Sequence, residues 1–386
     1  MQIAAATRLL ITTSVPSTLT AFLLPFARHF RERGFVVHAA SNGVTSCDAC
    51  REAFDEVFEL PWTRRPRDPA NVIEAPRRLR ALVRARRYDL VHAHDPVAAF
   101  VTRFALRNVK RSGRPRVVYT AHGFHFHGEG GRLSNLAFLA AERLAGRWTD
   151  YLVVINRDDE REAKRHRIVP SDRLRYMPGI GVDLDHYDAG RVTPAEVRAL
   201  RAEIGVDERA PLLTMVGEFN PGKRHRDAVR AVALARRRDV HLVLAGVGPL
   251  MDDVRELACS LEVANRVHLL GYRTDVPTLM AAAFATILPS EREGLPRCIM
   301  ESMCLERPVI ATRIRGVREL VDEETGILTD VGDVEAMARA IDTLADDGAR
   351  ANRLGWRGRE RIRAFDLHRV LALHDELYAE ALADAG

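Results

Sequence analysis

The run Ser290-Glu291-Arg292-Glu293-Gly294-Leu295-Pro296-Arg297-Cys298-Ile299-Met300-Glu301 sets two glutamates, Glu293 and Glu301, on either side of a Gly-Leu-Pro turn. The apolar stretch Phe284 to Leu288 precedes it and reads as a buried strand. Pro296 suits the first position of a helix, where its missing N–H would be unpaired in any case. Glu293 then lies in the loop at the strand's carboxyl end. Glu301 lies within the helix, about 7.5 Å along its axis from Pro296. Between them the helix start offers backbone N–H groups and the positive end of the peptide dipole, which together attract an anion. Two carboxylates would repel a bound diphosphate, so they should face its neutral flanks and accept hydrogen bonds from hydroxyls. Hydroxyls, a diphosphate and hydroxyls again describe a nucleotide sugar. The simpler reading is solvated helix charge.

Upstream and downstream of this run, short apolar segments alternate with amphipathic ones. Strands are predicted at Leu9–Thr13, Val36–Ala40, Leu90–Ala93, Val117–Thr120 and Tyr151–Ile155, with helical patterns near 19–33, 71–87, 96–107 and 133–147. The rhythm restarts at Leu212–Val216, His241–Ala245, Val267–Leu270, Phe284–Leu288 and Val309–Ala311. Two successive β/α series predict an α/β protein of two parallel-sheet domains. Pro178-Gly179-Ile180-Gly181-Val182-Asp183 punctuates the chain between them. Ligands of open parallel sheets bind beyond the carboxyl ends of the strands.

The 386 residues suffice for two domains, and 47% hydrophobic with 29% charged residues describe a globular protein. The net charge of +5 is unevenly divided: residues 1–190 carry +9 and the remainder −4. A basic first half favours anionic partners. Nine arginines between Arg64 and Arg87 read either as a membrane-surface patch or as a solvated face. No aromatics are interleaved with them, which argues against nucleic acid. Residues 9–27 lack charge, but Thr, Ser and Pro interrupt them, so a βαβ start is expected rather than a spanning or targeting segment. Cys47-Asp48-Ala49-Cys50 has no second pair and reads as two incidental thiols.

Gly217-Glu218-Phe219-Asn220-Pro221-Gly222-Lys223-Arg224 follows a strand and opens a helix. A glycine turn admits a phosphate to the backbone and a lysine adds a point charge. Lys223 is one of only three lysines in an arginine-rich chain, although it also reads as an exposed helix-start residue. Leu270-Gly271-Tyr272-Arg273 ends another strand and reads equally as an ordinary turn. Ala245-Gly246-Val247-Gly248 lacks the third glycine of a dinucleotide site. His122 follows the strand at 117–120, and a neutral imidazole there could hydrogen-bond a hydroxyl. The spacing of His122, His125 and His127 lacks the helical pairing of a zinc site. His92 and His94 end an earlier strand and either line a cleft or are buried. Asp183-Leu184-Asp185 lies between the domains, away from any nucleotide-binding strand, so no metal is expected there.

At Glu293 and Glu301 the chain resembles the retaining family 4 glycosyltransferases of the GT-B fold, whose signature is this Glu-x7-Glu. The likeness covers essentially the whole chain and is strongest over 211–330. There Glu293-Gly294-Leu295-Pro296, Pro308-Val309-Ile310-Ala311-Thr312, Gly316 and Glu319 follow in the family's order. The resemblance implies two Rossmann-like domains facing across a cleft. Residues 1–185 form the acceptor side and 186–364 the nucleotide-sugar side, while 365–386 return as a helix to the first domain. It implies that Glu301 holds the ribose and Glu293 the transferred sugar. Gly217, Lys223 and Arg224 meet the diphosphate together with Gly294, Leu295 and Pro296. Gly271, Tyr272 and Arg273 meet the nucleobase, and His122 braces the sugar. His122, Glu293 and Lys223 would then carry catalysis. Where the family commonly has arginine after the first glycine, this chain has Glu218, which falls outside the phosphate shell.

The segment Val91–Gly128 looks like the bacterial subset that builds capsule and exopolysaccharide on polyprenyl-diphosphate lipids. The expected activity is retaining, metal-independent and cofactor-free transfer from a UDP-linked hexose or N-acetylhexosamine to a saccharide or lipid-linked acceptor. It would take place in the cytoplasm, at the inner face of an anionic membrane, without nucleic acid. An epimerase of the same fold and a non-catalytic nucleotide- or carbohydrate-binding protein are the rival readings.

Overall fold

The computed structural model describes residues 6–63, 65, 68–109, 115–126 and 131–383, and the chain divides into two compact units. The first is Met1–Ile180 with Arg369–Gly386, and the second is Gly181–His368.

The first unit holds a seven-stranded sheet of β1 (Arg8–Thr12), β2 (Val36–Ser41), β3 (Glu56–Glu59), β4 (Leu90–Ala93), β5 (Arg116–Ala121), β6 (Tyr151–Val154) and β7 (Leu174–Tyr176). Their order is β3-β2-β1-β4-β5-β6-β7 and every pairing is parallel. All residues of β4 and β6 are buried, as helices on both faces of a parallel sheet require. The second unit holds β8 (Leu212–Val216), β9 (His241–Ala245), β10 (Val267–Gly271), β11 (Ala285–Leu288), β12 (Val309–Thr312) and β13 (Gly326–Thr329). Their order is β10-β9-β8-β11-β12-β13, again wholly parallel. Each sheet therefore has one point where the strand order reverses, β1/β4 in the first and β8/β11 in the second, and ligands bind at such points.

All ten predicted strands form. The three that the apolar pattern does not mark, β3, β7 and β13, are edge strands with few fully buried positions. Helix 19–33 is broken rather than continuous: a π turn spans Leu19–Leu23 before the α-helix Leu24–Glu32. Pro25 removes one donor from that ladder, and the wider turn accommodates the loss. Cys47 and Cys50 are joined by a disulfide instead of standing as incidental thiols. Cys47 caps the helix Asp48–Ala53, which brings the two Cα atoms to 5.2 Å, within disulfide reach.

The closing helix Leu367–Ala383 completes the first unit. His374 meets Phe26 edge-on at 4.9 Å, Tyr378 packs on Phe30 at 4.6 Å, and Asp375 accepts from His29 at 3.0 Å. Of the basic run, Arg64 and Arg67 lie outside the described residues. The helix Glu74–Arg86 turns Ala75, Leu79 and Val83 into the core. Arg78 pairs with Glu74 and Arg86 with Glu56, each at 2.6 Å. Among the described residues no helix is long and apolar enough to cross a membrane.

Candidate functional site

In the second unit the polar residues gather at the β8/β11 reversal. Three glycines stand side by side at the strand ends: Gly217 N–H donates to Ala245 at 2.9 Å, and Gly246 N–H donates to Gly271 at 2.7 Å. Gly246 has φ of 149°, and a Cβ there would stand 1.9 Å from the Gly217 carbonyl oxygen, so only glycine fits. After Gly217 the Asn220 side chain accepts from Lys223 N–H at 3.1 Å and closes the turn Pro221–Lys223. Arg224 then takes the left-handed conformation, φ 53°, and starts the helix His225–Leu234.

This turn delivers the Lys223 Nζ to within 2.6 Å of Glu293 Oε1, in the loop after β11. That loop is pinned on both sides. Glu291 N–H donates to Gly222 at 2.9 Å, and Thr312 Oγ1 donates to the Ser290 carbonyl. Gly316, at φ 76°, approaches so closely that a Cβ would lie 2.1 Å from the Gly294 oxygen. Pro296 stands one place outside the helix, as the cap of Arg297–Cys304, instead of at its first position. Leu295 and Cys298 are buried beneath the turn.

Glu301, only 6% exposed, receives Arg297 Nε at 2.7 Å and the Tyr187 hydroxyl. Burial pushes the Glu301 carboxyl up, partly offset by Arg297 and the Tyr187 hydrogen bond. Burial pulls Lys223 down, but Glu293, Cys298 and Glu218 together hold its ammonium above the ordinary value. Glu293 and Glu301 are thus each matched with a cation, and the cluster lies entirely in the second unit. Tyr187 carries no motif. It reaches Glu301 from a loop more than a hundred positions earlier, and periodicity does not report such a contact.

The remaining donor-side residues are distributed differently. Arg224 is committed to Asp227 at 2.6 Å. The Arg273 fork is filled by Glu203 and Asp275, and Tyr272 is 76% exposed, so Gly271 at the end of β10 offers backbone alone. Glu218 is exposed and accepts from the Asn220 side chain at 3.1 Å.

In the first unit, histidines gather at the β1/β4 reversal. His94 Nδ1 and His122 Nε2 share a hydrogen bond of 2.9 Å. The His92 and His94 rings stand 4.2 Å apart, and His92 also bonds Tyr378 and Thr120. Burial lowers His92, His94 and His122, most of all the first two, which disfavours the charged imidazole in each. Asp95, held at φ 62°, accepts from Ser14 N–H at 2.9 Å and raises His122 slightly against that trend. His92 and His94 are buried, whereas His122 is only partly buried. His127 lies outside the described residues.

The family described as glycosyl transferases group 1 matches residues 196–361, and the one described as Glycosyltransferase Family 4 matches residues 20–186. The Bacillus subtilis protein named "Putative glycosyltransferase EpsD" is 33% identical over 376 residues, 96% of either chain. An Escherichia coli UDP-Gal:alpha-D-GlcNAc-diphosphoundecaprenol alpha-1,3-galactosyltransferase is 28% identical over 69% of this chain and 68% of its own. The crystal structure of Anabaena HepE with UDP and glucose superposes with a TM-score of 0.81 at 22% identity, over 97% of this chain and all of that one. Two parallel-sheet units, the Glu-x7-Glu run at a strand reversal and these likenesses agree: the chain belongs to the family 4 glycosyltransferases, has the GT-B fold, and is a glycosyltransferase of polysaccharide or glycoconjugate biosynthesis.

Proposed function

We propose that the chain transfers a hexose or N-acetylhexosamine from a UDP-linked donor to a saccharide or polyprenyl-diphosphate-linked acceptor, with retention and without a metal, in bacterial surface polysaccharide synthesis. The observation that carries this reading is the paired arrangement Lys223–Glu293 and Arg297–Glu301 around one helix start. The donor diphosphate takes the Lys223 ammonium and the N–H groups at the head of Arg297–Cys304, where leaving-group charge develops. Glu293, released from Lys223, accepts from a sugar hydroxyl. Glu301, oriented by Arg297 and Tyr187, accepts from the ribose. A neutral His122 hydrogen-bonds the transferred sugar, and the leaving phosphate takes the acceptor's proton as attack occurs on the same face. The named relatives support the donor and acceptor classes: HepE was crystallised with UDP-glucose, and the Escherichia coli enzyme acts on a diphosphoundecaprenol-linked sugar.

The test presents a set of nucleotide sugars with polyprenyl-diphosphate sugar acceptors, in chelator, and follows nucleoside diphosphate release and the anomeric configuration of the product. Release that depends on acceptor and yields a retained linkage supports the reading. An inverted product, a requirement for divalent metal, or epimerised donor with no transfer rejects it.

A further inference from the structure

The helix Arg132–Gly146 in the first unit is amphipathic in an unusual sense. Phe138, Leu139, Ala145 and Gly146 turn toward the core, while Leu133 is 86% exposed, Leu136 65% and Leu144 43%. With Ala137 and Ala140 these leucines recur at the three- and four-residue spacing that makes one stripe. From Leu133 to Leu144 the stripe runs about 16 Å at 1.5 Å per residue. At its far end the helix closes on the segment after Arg157–Arg165. Gly146 permits this, because a Cβ there would lie 1.9 Å from the Ile168 oxygen.

Beside that contact is a groove of about 920 Å³ lined by Arg143, Arg147, Lys164, Arg167 and Arg173, with Leu144 on its wall and no acidic residue among the described lining. Lys164 is paired with Glu160 at 2.7 Å. Among the described residues, no ion pair forms at Arg143, Arg147, Arg167 or Arg173. Four arginines without a carboxylate partner demand an anion, and a row of open leucines beside them demands an apolar phase. A bilayer surface with anionic headgroups meets both demands, whereas nucleic acid meets only the first and an apolar protein face only the second.

We propose that the helix Arg132–Gly146 docks on an anionic membrane surface, its leucine stripe entering the headgroup boundary and the adjoining basic groove seating phospholipid headgroups. This surface is separate from the second-unit cluster, and the assignment does not depend on which acceptor is used. It also differs from the Arg77–Arg87 region, where Arg78 and Arg86 are already paired with Glu74 and Glu56.

The test uses the full chain with phosphatidylglycerol–phosphatidylcholine and pure phosphatidylcholine vesicles, by flotation. Binding to the anionic vesicles that weakens with salt, and no binding to the neutral ones, is expected. R143Q/R147Q/R173Q should weaken it about a hundredfold, near fivefold per cation, and L133S/L136S at least about tenfold. R84Q/R86Q/R87Q should leave it nearly unchanged. All positions of the first two variants lie on the surface, so unchanged circular dichroism melts and nucleoside diphosphate affinity certify the fold. Equal flotation of the wild type on both vesicle types, or unchanged binding by L133S/L136S, overturns the proposal. So does loss of binding only in R84Q/R86Q/R87Q. A concentration-dependent dimer abolished by L133S/L136S would instead assign the stripe to a second copy. Tighter binding to RNA, indifferent to the leucines, would assign the groove to nucleic acid.

Discussion

Lys223 Nζ and Glu293 Oε1 lie 2.6 Å apart although seventy positions separate them in the chain. If the donor diphosphate takes Lys223, as proposed, it must compete with Glu293 for the lysine. Lys223→Ala should weaken both nucleoside diphosphate affinity and turnover, because its charge meets the diphosphate in ground and transition states alike. Glu293→Gln should keep or strengthen that affinity, since the competitor for Lys223 is gone, yet lower turnover. Calorimetry beside a rate assay separates the two. Parallel losses of affinity in both variants would reject the competition.

Glu301 is held by Arg297 Nε and the Tyr187 hydroxyl within the second unit. Glu301→Ala should cost nucleoside diphosphate binding about 1.5–3 kcal/mol, the scale of charge-assisted hydrogen bonds. Tyr187→Phe should cost about 1 kcal/mol by loosening the carboxylate. It should affect a nucleoside diphosphate but spare inorganic diphosphate, which has no ribose. Equal losses for both ligands would assign Tyr187 a merely structural part.

His122 belongs to the first unit, and its ring partner is His94. If it touches the transferred sugar and not the nucleotide, His122→Ala should lower turnover about tenfold, one neutral hydrogen bond, with nucleoside diphosphate affinity unchanged. Wild-type turnover in a folded variant would remove His122 from the reaction.

Gly316 carries φ of 76° and leaves no room for a Cβ beneath Gly294. Gly316→Ala should destabilise the protein by roughly 1–3 kcal/mol. It should also weaken nucleoside diphosphate binding as the Gly294 loop shifts. A thermal melt with and without nucleotide reads both effects.

The buried histidines make stability fall with acid. Burial pushes His374 down to about 4, and lowers His92 and His94 well below the ordinary imidazole. A lowered folded value means that the unfolded chain takes up protons the folded chain refuses. Stability is therefore full above the unfolded value near 6.5. It falls as pH drops from there toward 4, by up to about 1.4 kcal/mol per pH unit for each histidine. Urea midpoints at about pH 7 and about pH 5 should show this slope, and His374→Gln should flatten it. A midpoint that rises on acidification would contradict the assignment.

The interior strands and the Glu293–Glu301 run were legible because burial on both sheet faces demands apolar runs, and because a strand-loop-helix turn needs its own residue types. Edge strands such as Glu56–Glu59 were not, since half their neighbours are solvent and their composition relaxes accordingly. In the site, local geometry announced Lys223 and both glutamates. Tyr187 and the His94–His122 bond depend on chain segments brought together from afar, which no local pattern encodes. Arg273 is the converse case: a cation that looks available in sequence is already engaged by Glu203 and Asp275. The exposed leucines of Arg132–Gly146 also hid in the sequence, where their spacing looks like any core-facing helix.

The helix that ends the first unit also sets a schedule. Tyr378 is 1% exposed, bonds His92 at 2.5 Å, and packs on Phe30, 348 positions earlier in the chain. Between the last strand of that sheet and the helix that seals it, the ribosome must deliver all of residues 177–366. The Phe26–Phe30 face of the helix Leu24–Glu32 therefore lacks its His374 and Tyr378 cover until those residues have been made.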